Sequence, residues 1–377
     1  MTLVFDRATR GGTLGGASRR FVLGCGLAAG GLLLVAARGA AQAPQGAPKE
    51  KTPKPYTPPP VFTATTPLQF TLIAPFKPLK KERYGTTAYR AAEIRYAGDS
   101  GEVHVPVRVR TRGIWRRKNC DIPPLRLNFS KDSTKKTAFR HLDNVRLVMH
   151  CRDNDEYEQY VLQEYNLYRV QRLLTPLSLD ARLVRVTYVD AEKKDTVTTR
   201  WGFLLESEGP FGERVGGKVL DTKGASPADL DPMENAFFGV WEYFVGNTDF
   251  SIAGLHNVAL LQRDTSYFPV AYDYDWSGAV NTRYAGPSPL LMNQIRRVTD
   301  RLMRGYCAEP ANFEKVFALF KEKKDAIYAL YRDSIGTTMK PNIADRTLKF
   351  FDDFYETIND PGQAKRFIIR SCLAGAA

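Results

Sequence analysis

Alternating apolar and polar positions mark the first half of the chain, and helical spacing marks the second. The run V-H-V-P-V-R-V-R-T places Val103, Val105, Val107 and Val109 on one face, the period-two pattern of a half-buried strand. Pro106 inside it cannot donate to a ladder and predicts an edge strand. Similar patterning predicts strands over 69–73, 91–96, 124–129, 145–149, 181–189 and 201–205, with a charged turn over 190–195. Behind Asp153 and Asp155, the spacing of Tyr157, Val161, Tyr165 and Tyr168 predicts a helix over 153–174 whose tyrosine stripe reads as core. Helices are also expected over 234–245, 290–303, 312–331, 343–358 and 363–372, and a strand pair over 258–262 and 267–272. The pattern therefore predicts an α+β chain, with a β-rich part over 61–225 and a helical part over 226–377.

The 377 residues, 43% hydrophobic and 25% charged, exclude a disordered, collagenous or multi-span membrane chain. Ahead of the globular pattern, Arg7, Arg10, Arg19 and Arg20 precede an apolar, small-residue run from Phe21 to Ala37, and Ala41-Gln42-Ala43 offers a cleavage site. Residues 1–43 therefore read as an export signal, with Ser18-Arg19-Arg20-Phe21-Val22-Leu23 resembling a twin-arginine signal. Residues 44–60 follow as a Pro-rich linker. A periplasmic or secreted protein is expected, with no transmembrane anchor after cleavage. Removing the signal takes away five arginines and one aspartate, and the net charge of +13 falls to about +9.

That basic balance suits anionic partners, but no array of basic residues interleaved with aromatics suggests a nucleic-acid groove. Cys120, Cys151, Cys307 and Cys372 remain after cleavage. An even count in an oxidising compartment suits two disulfides, and Cys120–Cys151 with Cys307–Cys372 is the most local of three connectivities. Zinc is the competing reading, without a CxxC or HxxxH spacing to support it.

The chemistry concentrates between Asn247 and Trp276. A polar loop presents Asp249, His256-Asn257 enters a strand, and the returning strand ends on Asp273-Tyr274-Asp275. Carboxylates flanking a hairpin, with an asparagine between them, match the needs of phosphoryl transfer. A hard cation takes carboxylate and amide oxygens, and an attacking hydroxyl needs a carboxylate to accept its proton. Each element alone also fits a capped turn or a solvated hairpin end. Gly212 to Lys218 begins like a phosphate-binding loop but has Val219 where Ser or Thr is required, and reads as a flexible turn.

Several segments resemble the CotH (spore-coat protein H) kinase family of atypical kinases. They are Arg112-Gly113, the strand Pro124-Leu125-Arg126-Leu127-Asn128-Phe129, the segment Trp201-Gly202-Phe203-Leu204-Leu205-Glu206, Asn247-Thr248-Asp249 with His256-Asn257, and Asp273-Tyr274-Asp275-Trp276. The resemblance implies a two-lobed kinase-like fold, with a β-rich N-terminal lobe, a helical C-terminal lobe, and ATP with Mg²⁺ (or Mn²⁺) between them. It implies Asp249 as the catalytic carboxylate, Asn257, Asp273 and Asp275 as metal ligands, and Glu206 near the nucleotide edge. The lysines usual before the P-Y-R-L strand are replaced by Ile122-Pro123, so phosphate would fall to Arg112, Arg126, Arg110 or Lys118. The implied activity is phosphate transfer from the nucleotide to a hydroxyl of an unknown protein or envelope acceptor. The alternative is a catalytically silent binding protein on the same fold; a metal-dependent phosphoesterase using Asp273 and Asp275 is a third reading.

Overall fold

A computed structural model describes residues 56–374. The export signal and most of the linker lie outside the described residues. Seven strands build the first sheet: β1 (Leu68–Ala74), β2 (Arg90–Gly98), β3 (Gly101–Thr111), β4 (Leu125–Phe129), β5 (Asn144–Val148), β6 (Ala181–Asp190) and β7 (Thr196–Leu205). Their order is β1-β2-β3-β4-β5-β7-β6, and β6 returns to pair in parallel with β1, from Leu68 opposite Val184 to Ala74 opposite Asp190.

That pairing closes the sheet into a barrel, which corrects the two-lobed kinase-like fold expected above. The α+β class stands, but the β-rich part is a closed barrel, and a second sheet of three strands accompanies the helices. The physical reason lies in β1. It carries ladder partners on both sides, antiparallel β2 and parallel β6, so closure leaves no open edge. The barrel interior is filled by alternate residues, among them Leu72, Ile94, Val105, Val107, Val109, Leu127, Leu147 and Val186, all buried. Their polar neighbours face outward.

Pro106 is a second correction, because β3 pairs on both sides and is no edge strand. The proline is tolerated because β4 reaches only as far as Val107 opposite Phe129, and the Pro106 carbonyl on that side accepts from Ser133 Oγ instead.

The second sheet joins β8 (Lys218–Leu220), β9 (Val258–Arg263) and β10 (Ser266–Ala271), with β9 in the middle. The segment read as a flexible turn closes the helix Glu208–Arg214, turns over 215–217 with Gly216 at φ +70°, and enters β8 at Lys218. A long helix, Asp155–Leu174, packs against β6 and β7; Asn154 caps it by accepting from Tyr157 N–H, and acidic residues fill its first turn. The helices Pro232–Val245, Pro310–Ala329 and Pro341–Asn359 enclose an aromatic core of Trp241, Phe244, Phe320, Phe351 and Phe354. The helix expected over 290–303 is only a single 3₁₀ turn, Pro289–Leu291. Asp300 accepts from the backbone N–H groups of Arg296 and Arg297, and Arg301 donates to the carbonyls of Tyr243, Phe244 and Phe350. These bonds hold the segment in an irregular path that competes with a helix.

Both expected disulfides are present, Cys120–Cys151 and Cys307–Cys372, the form cysteines take in an oxidising compartment. Among the described residues, no helix is long and apolar enough to cross a membrane.

Candidate functional site

Local chain chemistry sets up the acidic loop. The Pro232–Val245 helix ends at Gly246, whose φ of +66° is a left-handed cap, and a Cβ there would lie 2.7 Å from the Phe350 ring. The chain then turns sharply. Asn247 Oδ1 accepts from Asp249 N–H at 2.9 Å, which aims the Asp249 carboxylate outward. One carboxylate oxygen lies 3.0 Å from His256 Nε2, and the other accepts from Asn257 Nδ2 at 3.1 Å. The hydrogen bond and charge of Asp249 raise the His256 pKa, against the opposing effect of burial. Asn257 sits at φ +55° and Asp273 at φ +67°, both in the left-handed region, where strain concentrates at functional sites.

β10 delivers the second acidic segment. Past the end of β10 the chain leaves the strand through the left-handed Asp273. Asp273 and Asp275 both line one cavity, while Tyr274 between them is fully buried and donates to Gln171 Oε1 and to the Ala271 carbonyl. The Asp273 N–H donates to the Tyr168 hydroxyl at 2.9 Å, and Asp275 Oδ2 accepts from the Tyr284 hydroxyl at 3.0 Å. Behind them lies Glu164 of the long helix, buried, its carboxylate accepting no hydrogen bond among the described residues.

Burial, then the Asp275 and Asp273 charges, push Glu164 well above the carboxylate range. Burial, then Asp273, push Asp275 up to about 7, against the pull of Arg116, whose Nη1 is 3.9 Å away. Burial alone would lower Arg116, but Tyr284 and these acids raise it instead. Asp249, Asn257, Asp273 and Asp275 line one cavity of about 460 Å³ with Arg112 and Arg116.

The chemistry of this set fits a hard divalent cation. The crowded acids hold protons that a dication would displace, and carboxylate and amide oxygens are its preferred donors. Among the described residues, no group of three or more His, Cys, Asp or Glu side chains converges on one ion position. Magnesium tolerates this, because it takes one or two carboxylates and completes its shell with phosphate oxygens and water.

Asp275 also sets a pH dependence. Its native value of about 7 lies above that of an unfolded aspartate, so between roughly pH 4 and 7 the native state holds the extra proton. Stability must therefore fall as pH rises through that window. In metal-free buffer, the wild type should lose stability relative to Asp275→Asn between pH 5 and pH 8, by on the order of a few kcal/mol. Urea melts at both pH values test this; parallel changes in the two proteins would show that Asp275 does not hold the proton.

Beside the acids is a cationic cavity of about 350 Å³, lined by Arg110, Arg112, Arg117, Arg126 and Arg146. Three of these form a ladder on the barrel's outer face. Arg110 on β3 stands opposite Arg126 on β4, which stands opposite Arg146 on β5. Like charges directly opposite destabilise a sheet, so such a row is costly without a counter-ion.

Only Glu208, paired with Arg146, supplies a carboxylate to the cavity lining. The Arg146 side chain is buried, and among the described residues its Nε and Nη1 have no partner; Nε of Arg110, Arg117 and Arg126 is likewise unpartnered there. Burial, then the Arg112 charge, lower Arg146 to about 10, and burial with Arg112 and Arg110 lowers Arg126. Arg112, Gly113 and Tyr272 line both the cationic and the acidic cavity, which therefore adjoin.

Of the residues picked out in the sequence, Arg112, Asp249, Asn257, Asp273 and Asp275 share the acidic cavity, and Arg126 lines the neighbouring one. Glu206 stands apart: it is buried, bonded to Arg214 at 2.7 Å, and accepts from Asp180 N–H at 3.0 Å. Lys118 stacks over Tyr84 and lines neither cavity. Sequence reasoning missed Glu164, Arg116 and Arg146. A carboxylate three residues after Val161 and four before Tyr168, on a stripe otherwise apolar, was a signal for Glu164. The chain matches no family model and no curated protein.

Proposed function

We propose that this chain is an exported, metal-dependent phosphotransferase that moves a phosphoryl group from a nucleoside triphosphate such as ATP to a hydroxyl acceptor. The observation that carries the reading is the arginine ladder, with buried guanidinium atoms that have no partner among the described residues, directly adjoining a cavity of crowded acids. Polyphosphate needs the first and its cation needs the second. A third cavity, of about 530 Å³, shares Tyr272 and Glu208 with the ladder, and Leu220, Leu255, Val258 and Ala259 give it apolar walls for the nucleoside. The order of motifs shared with the CotH kinase family supports the same reading, on a barrel scaffold. The two disulfides support a periplasmic or secreted location.

In this reading, Asp273 and Asp275 would hold the metal, with Asn257 as a neutral donor. A bound Mg²⁺ or Mn²⁺ supplies charge neutralisation across the phosphates. Arg126 and Arg146 bind the anionic oxygens and take up the charge that grows on the departing diphosphate. Asp249, oriented by Asn247, His256 and Asn257, accepts the acceptor's proton as its oxygen bonds to the γ-phosphorus and the bond to the bridging oxygen breaks. His256 keeps the Asp249 carboxylate aligned.

Arg126→Met tests the cradle. Removing the middle charge of the ladder should leave the free protein as stable as wild type or more so, by a few tenths of a kcal/mol. ATP affinity in the presence of Mg²⁺ should fall by about 10- to 100-fold, the worth of one charge-assisted contact. Isothermal titration reads the affinity and thermal melting the stability. Unchanged ATP affinity in a folded variant would remove the ladder from the site.

A further inference from the structure

Given the phosphotransfer reading above, we infer that the acceptor is a saccharide, docked by its ring face on Trp115. The chain has four tryptophans, and two of them, Trp115 and Trp276, line the acidic cavity together with Asp249 and His256. Trp115 is 36% exposed, and the neighbouring Ile114 is 77% exposed. One face of the Trp115 indole stacks on Tyr284, with centroids 4.8 Å apart, and the ring meets Trp276 in a T-shaped pair at 5.8 Å. Tyr284 stacks in turn on Tyr157. The rings thus form a supported shelf with an accessible side, beside the carboxylate that takes the hydroxyl proton.

The shelf is held rigidly. Arg112 N–H donates to the Pro124 carbonyl at 2.9 Å, Arg116 donates to the Met149 carbonyl, and Cys120 is tied to Cys151. A fixed indole loses little freedom on binding, which favours a weakly held polar ligand. A sugar ring carries an apolar C–H face and a hydroxyl edge, and the cavity offers both complements: the indole for the face, and Asp249, His256 and Asn257 for the hydroxyls. The Asp249 and His256 side chains are themselves half exposed there.

A peptide acceptor lacks a comparable hold. Every residue lining this cavity lies outside the strands, so no ladder edge is present to pair with an extended backbone.

The test follows tryptophan emission of the full chain during titration with maltotetraose, cellotetraose and chitotetraose, and separately with a short serine peptide. At least one saccharide should change the emission saturably. Trp115→Ala should weaken that response roughly tenfold and Trp115→Tyr should retain most of it, with unliganded melting as the check on folding. Silence towards every saccharide, or a saturable response to the peptide alone, overturns the inference. The emission assay needs no nucleotide, and ATP-induced melting shifts are read in parallel. An intact ATP shift with no saccharide response defeats only the acceptor assignment, whereas no ATP shift defeats the donor reading.

Discussion

Asp249→Asn should lower ATP turnover by about 10²- to 10⁴-fold while leaving Mg-ATP binding within a few-fold of wild type. The amide keeps the shape that accepts from Asn257 Nδ2, and loses the charge that takes a proton from the acceptor and raises the His256 pKa. The two quantities separate the roles. A loss in turnover with retained affinity marks a group used in the transition state, whereas a parallel loss of affinity marks a metal ligand. Turnover is read as ADP release and affinity as the ATP-induced melting shift. A wild type that binds Mg-ATP and shows no turnover would leave the silent binding protein as the surviving reading.

Loss of the Cys120–Cys151 disulfide should have the largest effect on stability. The bridge closes a separation of 31 residues, for which chain entropy gives roughly 3–4 kcal/mol. Both sulfurs are buried beside the barrel, and Cys120 ends the short helix Trp115–Asn119 that carries Trp115, Arg116 and Arg117. The Cys120→Ser/Cys151→Ser variant should therefore lose stability in urea and also bind nucleotide more weakly, because Arg116 is no longer held against Asp275. Equal urea midpoints for variant and wild type would show that the Trp115–Asn119 helix is held by its hydrogen bonds alone.

Individual elements were readable from the sequence wherever burial was one-sided. The valine alternation of β3, the tyrosine spacing of the long helix and the hairpin that leads to Asp273 each follow from a local period. Barrel closure was not readable, because it rests on β1 meeting β6 more than a hundred residues later, and a short apolar run does not reveal which strand lies beside it. The site divides in the same way. Asp249, Asn257, Asp273 and Asp275 lie close together in the chain, and their residue types suggested the chemistry. The arginine ladder is a property of register: Arg110, Arg126 and Arg146 stand on three different strands and become a site only when those strands align. Glu164 was legible only in part: an acid on an apolar stripe marks a buried carboxylate, but its partners Asp273 and Asp275 are more than a hundred residues away and meet it only in the fold.

Thermal melting of the protein alone, with Mg²⁺, with ATP, and with both, run beside Asp273→Asn, tests the central claim most directly. A ligand that binds only the native state raises the midpoint by linkage, about 2.7 kcal/mol of stabilisation at a hundred times its dissociation constant. The phosphotransferase reading predicts that ATP and Mg²⁺ together raise the midpoint by more than the sum of their separate effects, and that this excess disappears in Asp273→Asn. A folded wild type whose midpoint does not move with ATP at millimolar concentration, with or without metal, would contradict it.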